Sequence, residues 1–202
     1  MRALGSDILV LATHNKGKLA EMRELLGSHP FTVKSAAEFD LPEPEETGTT
    51  FIENARIKAH AAATATGLPA LADDSGLEVD ALDGAPGVYT ADWAETPQGR
   101  DFPMAMEKVH KALADKSAPE PQPGRFRATL VLAWPDGHDE VFEGAAEGNL
   151  VWPPAGSEGH GYDPVFRPTG HDITFGQMDK SLKNQLSHRG LALAKLVAAL
   201  GG

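Results

Sequence analysis

An α/β fold around a mixed β-sheet is predicted by two features of this sequence. Short apolar segments suited to strands alternate with segments whose apolar residues recur at helical spacing. Around Pro135-Asp136-Gly137-His138, however, two strand-like segments face each other across a turn, so the sheet also contains an antiparallel hairpin. The 202 residues suffice for one large domain or one domain with two lobes, and 41% apolar with 23% charged residues is a globular composition.

Each element has its own signal. Residues 7–13 are short, continuous and apolar, as a buried strand requires. After the polar turn His14–Gly17, Leu19, Met22, Leu25 and Leu26 fall on one helical face, and Gly27 is placed to cap that helix. Phe31–Lys34 suits a second strand, and residues 40–48 form an acidic loop interrupted by prolines. From Thr49 or Thr50 to Thr66 the chain is Ala-rich and helical, with Thr50 and Glu53 spaced as a capping box and Gly67 and Pro69 closing it. A short stretch from Pro69 to Ala72 leads to Asp73-Asp74-Ser75-Gly76, read as a strand-to-turn position, and Leu77, Val79 and Ala81 alternate as a further strand.

Gly84–Gly87 reads as a turn, and residues 100–115 as a helix with Pro103 in its first turn. Ser117–Gly124 holds three prolines and reads as an exposed connection before the hairpin strands Arg125–Trp134 and Asp139–Glu147. A Gly/Pro-rich loop covers about 151–171. The C-terminal segment is helical, broken near Ser187, with Leu191, Leu193, Leu196, Val197 and Leu200 as its core face.

Charge and composition narrow the function classes. With 18 Lys+Arg against 29 Asp+Glu the net charge is −11, which disfavours the extended basic surface that nucleic acid needs. The absence of cysteine excludes disulfides, thiolate metal sites and thiol nucleophiles. The early apolar run Ile8–Ala12 is too short for a signal peptide, and nowhere do about 20 apolar residues follow one another. The expectation is a cytoplasmic protein with no membrane partner.

Five segments carry chemistry. Thr13-His14-Asn15-Lys16-Gly17-Lys18 lies between a strand and a helix, where backbone N–H groups and an ammonium form an anion site, or where Asn15 simply caps the helix. Asp73-Asp74-Ser75-Gly76 offers adjacent carboxylates for Mg²⁺ or for activating water, or an ordinary turn. Glu43–Glu46, followed by the helix carrying Lys58, is a solvated charge run unless it faces the Asp pair. His160-Gly161-Tyr162-Asp163 offers rings to stack on a planar base, or a buried aromatic that pins a loop. Lys183, His188 and Arg189 supply donors suited to phosphate or carbonyl oxygens, with Ser187 a candidate N-cap.

Six stretches, in order, resemble one family: Thr-x-Asn-x-Gly-Lys, Glu-Glu-Thr-Gly-x-Thr-Phe-x-Glu-Asn-Ala, Ala-Asp-Asp-Ser-Gly-Leu, Gly-Ala-Pro-Gly-Val-Tyr, Gly-Tyr-Asp-Pro-Val-Phe and Ser-His-Arg-Gly. They are similar to the non-canonical purine nucleoside triphosphate pyrophosphatases, the inosine/xanthosine triphosphate or Ham1-like family. The resemblance runs from about Ile8 to about Leu196. It implies a single two-lobed domain over 1–202, built around a long mixed sheet with its active site in the cleft between lobes. It further implies Mg²⁺-dependent hydrolysis of ITP, dITP and XTP to monophosphate and pyrophosphate, cleansing the nucleotide pool, by a homodimer.

By the same resemblance, Asp74 is the catalytic acidic residue and a metal ligand, Glu46 the other metal-binding carboxylate, and Glu45 a weaker candidate for that place. Thr13, His14, Asn15, Lys16, Gly17 and Lys18 match the triphosphate loop, and Lys58 a further phosphate contact. Ser75, His160, Gly161, Tyr162, Asp163, Lys183, His188 and Arg189 match substrate-binding positions, with Asp73 supporting its neighbour. Two departures stand out: His160 replaces a stacking Phe, and His14 replaces a common Gly. The competing readings are a Maf-like pyrophosphatase for another modified base, against which Ser-His-Arg-Gly argues, and a catalytically silent nucleotide-binding protein.

Overall fold

The structure, a computed structural model, describes residues 2–26 and 30–201. Gly27, expected to cap the first helix, lies outside the described residues, as do the side chains of Lys16 and Leu25. The regular elements are β1 (Ile8–Leu11), α1 (Lys16–Leu26), β2 (Thr32–Ser35), α2 (Phe51–Thr66), β3 (Ala70–Val79), β4 (Glu95–Thr96), β5 (Gly99–Arg100) and α3 (Phe102–Asp115). They continue with β6 (Gln122–Ala133), β7 (Asp139–Leu150), β8 (Phe166–Pro168), α4 (Lys180–Leu186) and α5 (His188–Leu200).

Six strands form one sheet in the order β2-β1-β3-β6-β7-β8. β1 runs parallel to both β2 and β3, whereas β7 and β8 are antiparallel, so the sheet is mixed as the sequence predicts. The chain divides into two compact units, one of residues up to Asp74 with Ala128–Glu143 and the segment from Ala192, the other of Ser75–Arg127 and Gly144–Leu191. It passes from one unit to the other inside β3, β6, β7 and α5.

In the first unit, strand alternation sorts the apolar residues onto two faces. Leu9, Leu11, Leu71, Leu130 and Leu132 pack with Met22 and Leu26 of α1 and Leu193 and Leu196 of α5. Val10, Ala12, Ala70, Ala72, Val131 and Ala133 meet Ala55, Ala59, Ala62 and Ala63 of α2. An alanine face lets α2 sit close to the sheet, which matters because α2 carries Lys58. That helix begins with the capping box the sequence predicts: the Glu53 N–H donates to Thr50 Oγ1 at 3.3 Å, and the Glu53 carboxylate accepts from the Thr50 N–H at 3.1 Å. It ends at Gly67, whose φ of 67° is the left-handed conformation that glycine adopts without a steric penalty. The second unit has its own core, with Leu77, Val79, Val109, Leu113, Phe126, Phe166 and Phe175 among its members.

Four expectations need correction. Asp73-Asp74-Ser75-Gly76 is no turn; it lies inside the ten-residue strand β3, which also takes in Leu77 and Val79, so no further strand starts there and Ala81 falls in a 3₁₀ turn. Asp, Ser and Gly are poor strand formers, but pairing in the middle of a sheet outweighs such preferences. The region 151–171 is not all loop, because Asp163–Val165 makes a 3₁₀ turn and β8 adds a strand on β7. The connection Ser117–Gly124 is shorter than read, since β6 already starts at Gln122. Leu191 is 39% exposed, whereas Leu193 and Leu196 are buried, because Leu191 falls off the stripe that faces the core. The small β4–β5 pair had no signal beyond its Gly99 turn.

Candidate functional site

The first unit brings together the acidic and basic residues that the sequence offered separately. Because side chains alternate along β3, Asp73 and Asp74 turn to different sides of the strand and find different partners. Asp73 Oδ2 accepts from Lys18 Nζ of α1 at 2.6 Å. Asp74 Oδ1 stands 3.6 Å from Lys58 Nζ of α2. The two adjacent carboxylates are thus paired with different lysines.

Lys58 is the hub. Its ammonium donates to Glu46 Oε1 at 2.6 Å and to the Asp73 backbone carbonyl at 2.9 Å, while facing Asp74. Burial by itself would lower its pKa, but the charges of Asp74 and Glu46 outweigh that and hold it above the ordinary lysine range. Lys58 is thus a fixed cation. Asp74 shows the opposite balance: burial raises its carboxyl, the Lys58 charge pulls it down and Glu46 pushes it up again, with a net rise to about 6. Its Oδ2 is buried with no hydrogen-bond partner. An anion held short of partners beside a second carboxylate is a place where a divalent cation would be welcome.

Among the described residues no three His, Asp or Glu side chains converge as a preformed metal cage. What the first unit offers is Glu46 and Asp74, both bearing on Lys58. Such a donor set fits Mg²⁺, which uses one or two carboxylates and takes its other ligands from water and phosphate. Glu45 is exposed, and Glu46 is the member of that acidic run that reaches Lys58.

In the strand–helix loop, Asn15 Oδ1 accepts from the Gly17 and Lys18 backbone N–H groups at 2.9 and 3.1 Å, so Asn15 does cap α1. Thr13 Oγ1 in turn accepts from the Asn15 N–H at 3.1 Å, and His14 Nε2 pairs with the Leu41 carbonyl at 2.9 Å. The loop is ordered by its own side chains, with Lys18 held by Asp73.

In the second unit, Ser75 follows Asp74 on β3, and its hydroxyl accepts from the Arg189 guanidinium at 3.1 Å. His188, buried at the start of α5, stacks on Phe126 with ring centres 4.9 Å apart. Ser187 caps α5 through the Gly190 N–H at 3.1 Å, as its sequence position suggested. The loop 159–163 is organised by Asp163: its Oδ2 accepts from the His160 N–H and from Lys183 Nζ, each at 2.5 Å. Gly159 is required there, because its φ is 78° and a Cβ would collide with the Asp163 carboxylate.

Tyr162 is the buried pin rather than a stacking surface, with its hydroxyl donating to the Thr90 carbonyl at 3.1 Å. Burial pushes that hydroxyl's pKa up. In the loop 159–163 it is His160 that presents an exposed ring, resting edge-on against Phe102 at 5.2 Å.

A protein-family model described as the Ham1 family matches residues 9–199. The chain belongs to the Ham1 family. A dITP/XTP pyrophosphatase of Ruegeria pomeroyi is 65% identical, covering 100% of this chain and 98% of that protein. One of the same name from Agrobacterium fabrum is 58% identical, covering 98% and 97% respectively. Among solved structures, a HAM1 protein from Coxiella burnetii superposes with a TM-score of 0.90 at 40% identity, covering 96% of this chain and 98% of that one.

Within this Ham1 chain, the structure joins Glu46, Lys58 and Asp74 in one group, Lys18 with Asp73 in another, Ser75 with Arg189 in a third, and His160, Asp163 and Lys183 in a fourth. Sequence reasoning missed the residues that hold these in place. Phe102 supports both His160 and Tyr162, Phe126 supports His188, and Asn54 Oδ1 accepts from the Gly48 N–H at 2.8 Å just beyond Glu46. Phe102 and Phe126 carry no local signal as site residues; Asn54, a polar residue in an alanine-rich helix, did.

Proposed function

We propose that this chain hydrolyses non-canonical purine nucleoside triphosphates, dITP, ITP, XTP and dXTP, to the monophosphate and pyrophosphate, and so removes deaminated purines from the nucleotide pool. The observation that carries the proposal is the state of Asp74: a buried carboxylate with an oxygen short of partners, beside Glu46 and the fixed cation Lys58. It stands in a chain 65% identical to a protein named dITP/XTP pyrophosphatase.

Mg²⁺ would be held by Glu46 and Asp74, and when bound it supplies charge neutralisation for the phosphates. The remaining chemistry belongs to the chain. Asp74 positions a water for attack on the α-phosphorus and accepts its proton, a new O–P bond forms, and the bond to the bridging oxygen breaks as pyrophosphate leaves. Lys58 and Lys18 neutralise phosphate oxygens, and the loop Thr13–Lys18 with its N–H groups fits the triphosphate. Catalysis of this kind is mostly positioning and charge stabilisation.

His160 takes the stacking role, Gly161 and Asp163 shape its loop, and Lys183 contributes a donor. His188 and Arg189 donate to the 6-oxo group of hypoxanthine or xanthine. Adenine places an amino donor there, and a buried donor that faces a donor costs roughly 1–3 kcal/mol. The reading includes a single domain over the whole chain, a homodimer and a cytoplasmic location. The test is pyrophosphate release with Mg²⁺ across ITP, XTP, dITP, GTP, ATP and dUTP. Release from the 6-oxo, non-canonical purines above the others is expected; binding without release from any of them would leave a silent nucleotide-binding protein.

A further inference from the structure

Thr129 of β6 is fully buried, and its hydroxyl has no hydrogen-bond partner. A buried hydroxyl in that state is costly, and valine would fill the same volume without the cost. Its position in the sheet supplies a reason for it.

β6 lies next to β3. Ala70 and Ala72 of β3 share the α2-side core with Val131 and Ala133 of β6, whereas Leu71 shares the opposite core with Leu130 and Leu132. By alternation, Thr129 is on the α2 side, as is Asp74. The register follows from a close approach further along. A Cβ on Gly124 would come within 2.7 Å of the Glu78 carbonyl oxygen and 3.5 Å of Val79 Cα, so Gly124 lies against the far end of β3. The beginning of β6 thus meets the end of β3, and the end of β6 meets its beginning: the strands are antiparallel. Counting five residues along each strand from Gly124 and Val79 arrives at Thr129 and Asp74. Residues opposite each other in an antiparallel pair hold their Cβ atoms roughly 4.5–5.5 Å apart. Two buried polar atoms without partners, Thr129 Oγ1 and Asp74 Oδ2, therefore face the same place.

We propose that Thr129 is a positioning residue for Asp74. Its hydroxyl donates to Oδ2, directly or through one water, in the substrate-bound enzyme, while Lys58 bears on Oδ1. A carboxylate tied at both oxygens keeps one rotation about its Cβ–Cγ bond, and its remaining lone pairs stay directed at the attacking water. This rests on the hydrolytic reading of Asp74 above.

Valine and serine substitutions separate the hydroxyl from the methyl group. Thr129→Val keeps the volume and loses the hydroxyl; Thr129→Ser does the reverse. With ITP and Mg²⁺, Thr129→Val is expected to lose kcat by about 10- to 100-fold at nearly unchanged KM, as a small misplacement of a reacting group does. Its Tm without ligand or metal should equal or exceed that of the wild type. Thr129→Ser should melt lower yet keep kcat near wild type. A Val variant with wild-type kcat would overturn the proposal, and so would a pair of variants whose kcat simply follows their Tm. The wild type and Asp74→Asn run alongside. If the wild type releases no pyrophosphate, or Asp74→Asn still does, the hydrolytic reading fails and takes this one with it. If both controls behave, the Val result judges Thr129 alone.

Discussion

The charged group of the first unit and the loop 159–163 of the second are both built on a buried aspartate, and the two aspartates are treated in opposite ways. Asp163 is satisfied: one of its oxygens takes a backbone N–H and the Lys183 ammonium, each at 2.5 Å. Asp74 is left short, with one oxygen unpartnered and its carboxyl raised to about 6. A satisfied buried carboxylate fixes a shape. An unsatisfied one stores unfavourable electrostatic energy that a cation or a proton can relieve, which is what a group that must act on a ligand needs.

The widest test of that contrast is Asp74→Asn. Turnover should fall by about 10³-fold or more, as when a proton acceptor central to the reaction is removed. Its stability should move the other way. The folded-state pKa lies above the ordinary value of 3.8, so the folded protein holds its proton more tightly between about pH 4 and 6. Stability from this group is therefore present at low pH and lost as pH rises through 6. At neutral pH the Asn variant should melt above the wild type, by on the order of 1–3 kcal/mol, and the gap should close below about pH 4. Thermal melts across pH without metal check this, and an Asn variant less stable at pH 7 would break the contrast.

Mg²⁺ sharpens it. Added Mg²⁺ should raise the Tm of the wild type at pH 7.5 and have little effect on Asp74→Asn or at pH 5, where proton and cation compete for the same carboxylate. Glu46→Gln should weaken this stabilisation, while Glu45→Gln, at an exposed position, should leave it intact.

For the satisfied aspartate the prediction is reversed. Asp163→Asn leaves the Lys183 ammonium without its counter-charge and should lower stability by about 3 kcal/mol, with KM for ITP rising more than kcat falls. Chemical denaturation and steady-state kinetics read the two effects. The smallest expected change is in Tyr162→Phe, which removes the bond to the Thr90 carbonyl: about 1 kcal/mol of stability and little change in kcat.

How much of this was legible beforehand follows from how local each signal is. The α2 capping box, the hairpin around residue 135 and the helix break at Ser187 are decided by a few neighbouring residues, and all appear where the sequence placed them. Asp73–Gly76 was misread because its composition is that of a turn, while its place in the sheet is fixed by neighbours distant in sequence. β8 was missed for the same reason: its three residues are a strand only because β7 is beside them.

The sequence by itself determined the α/β class, the candidate residues and the family they resemble, because periodicity, caps and motif spacing are properties of short segments. Tertiary structure decided what those residues do to one another. It set Asp73 against Lys18 and Asp74 against Lys58, made Tyr162 a pin, and left Thr129 Oγ1 and Asp74 Oδ2 buried without hydrogen-bond partners. Desolvation and charge pairing depend on which groups distant in sequence are buried together, and that is fixed only when the chain folds.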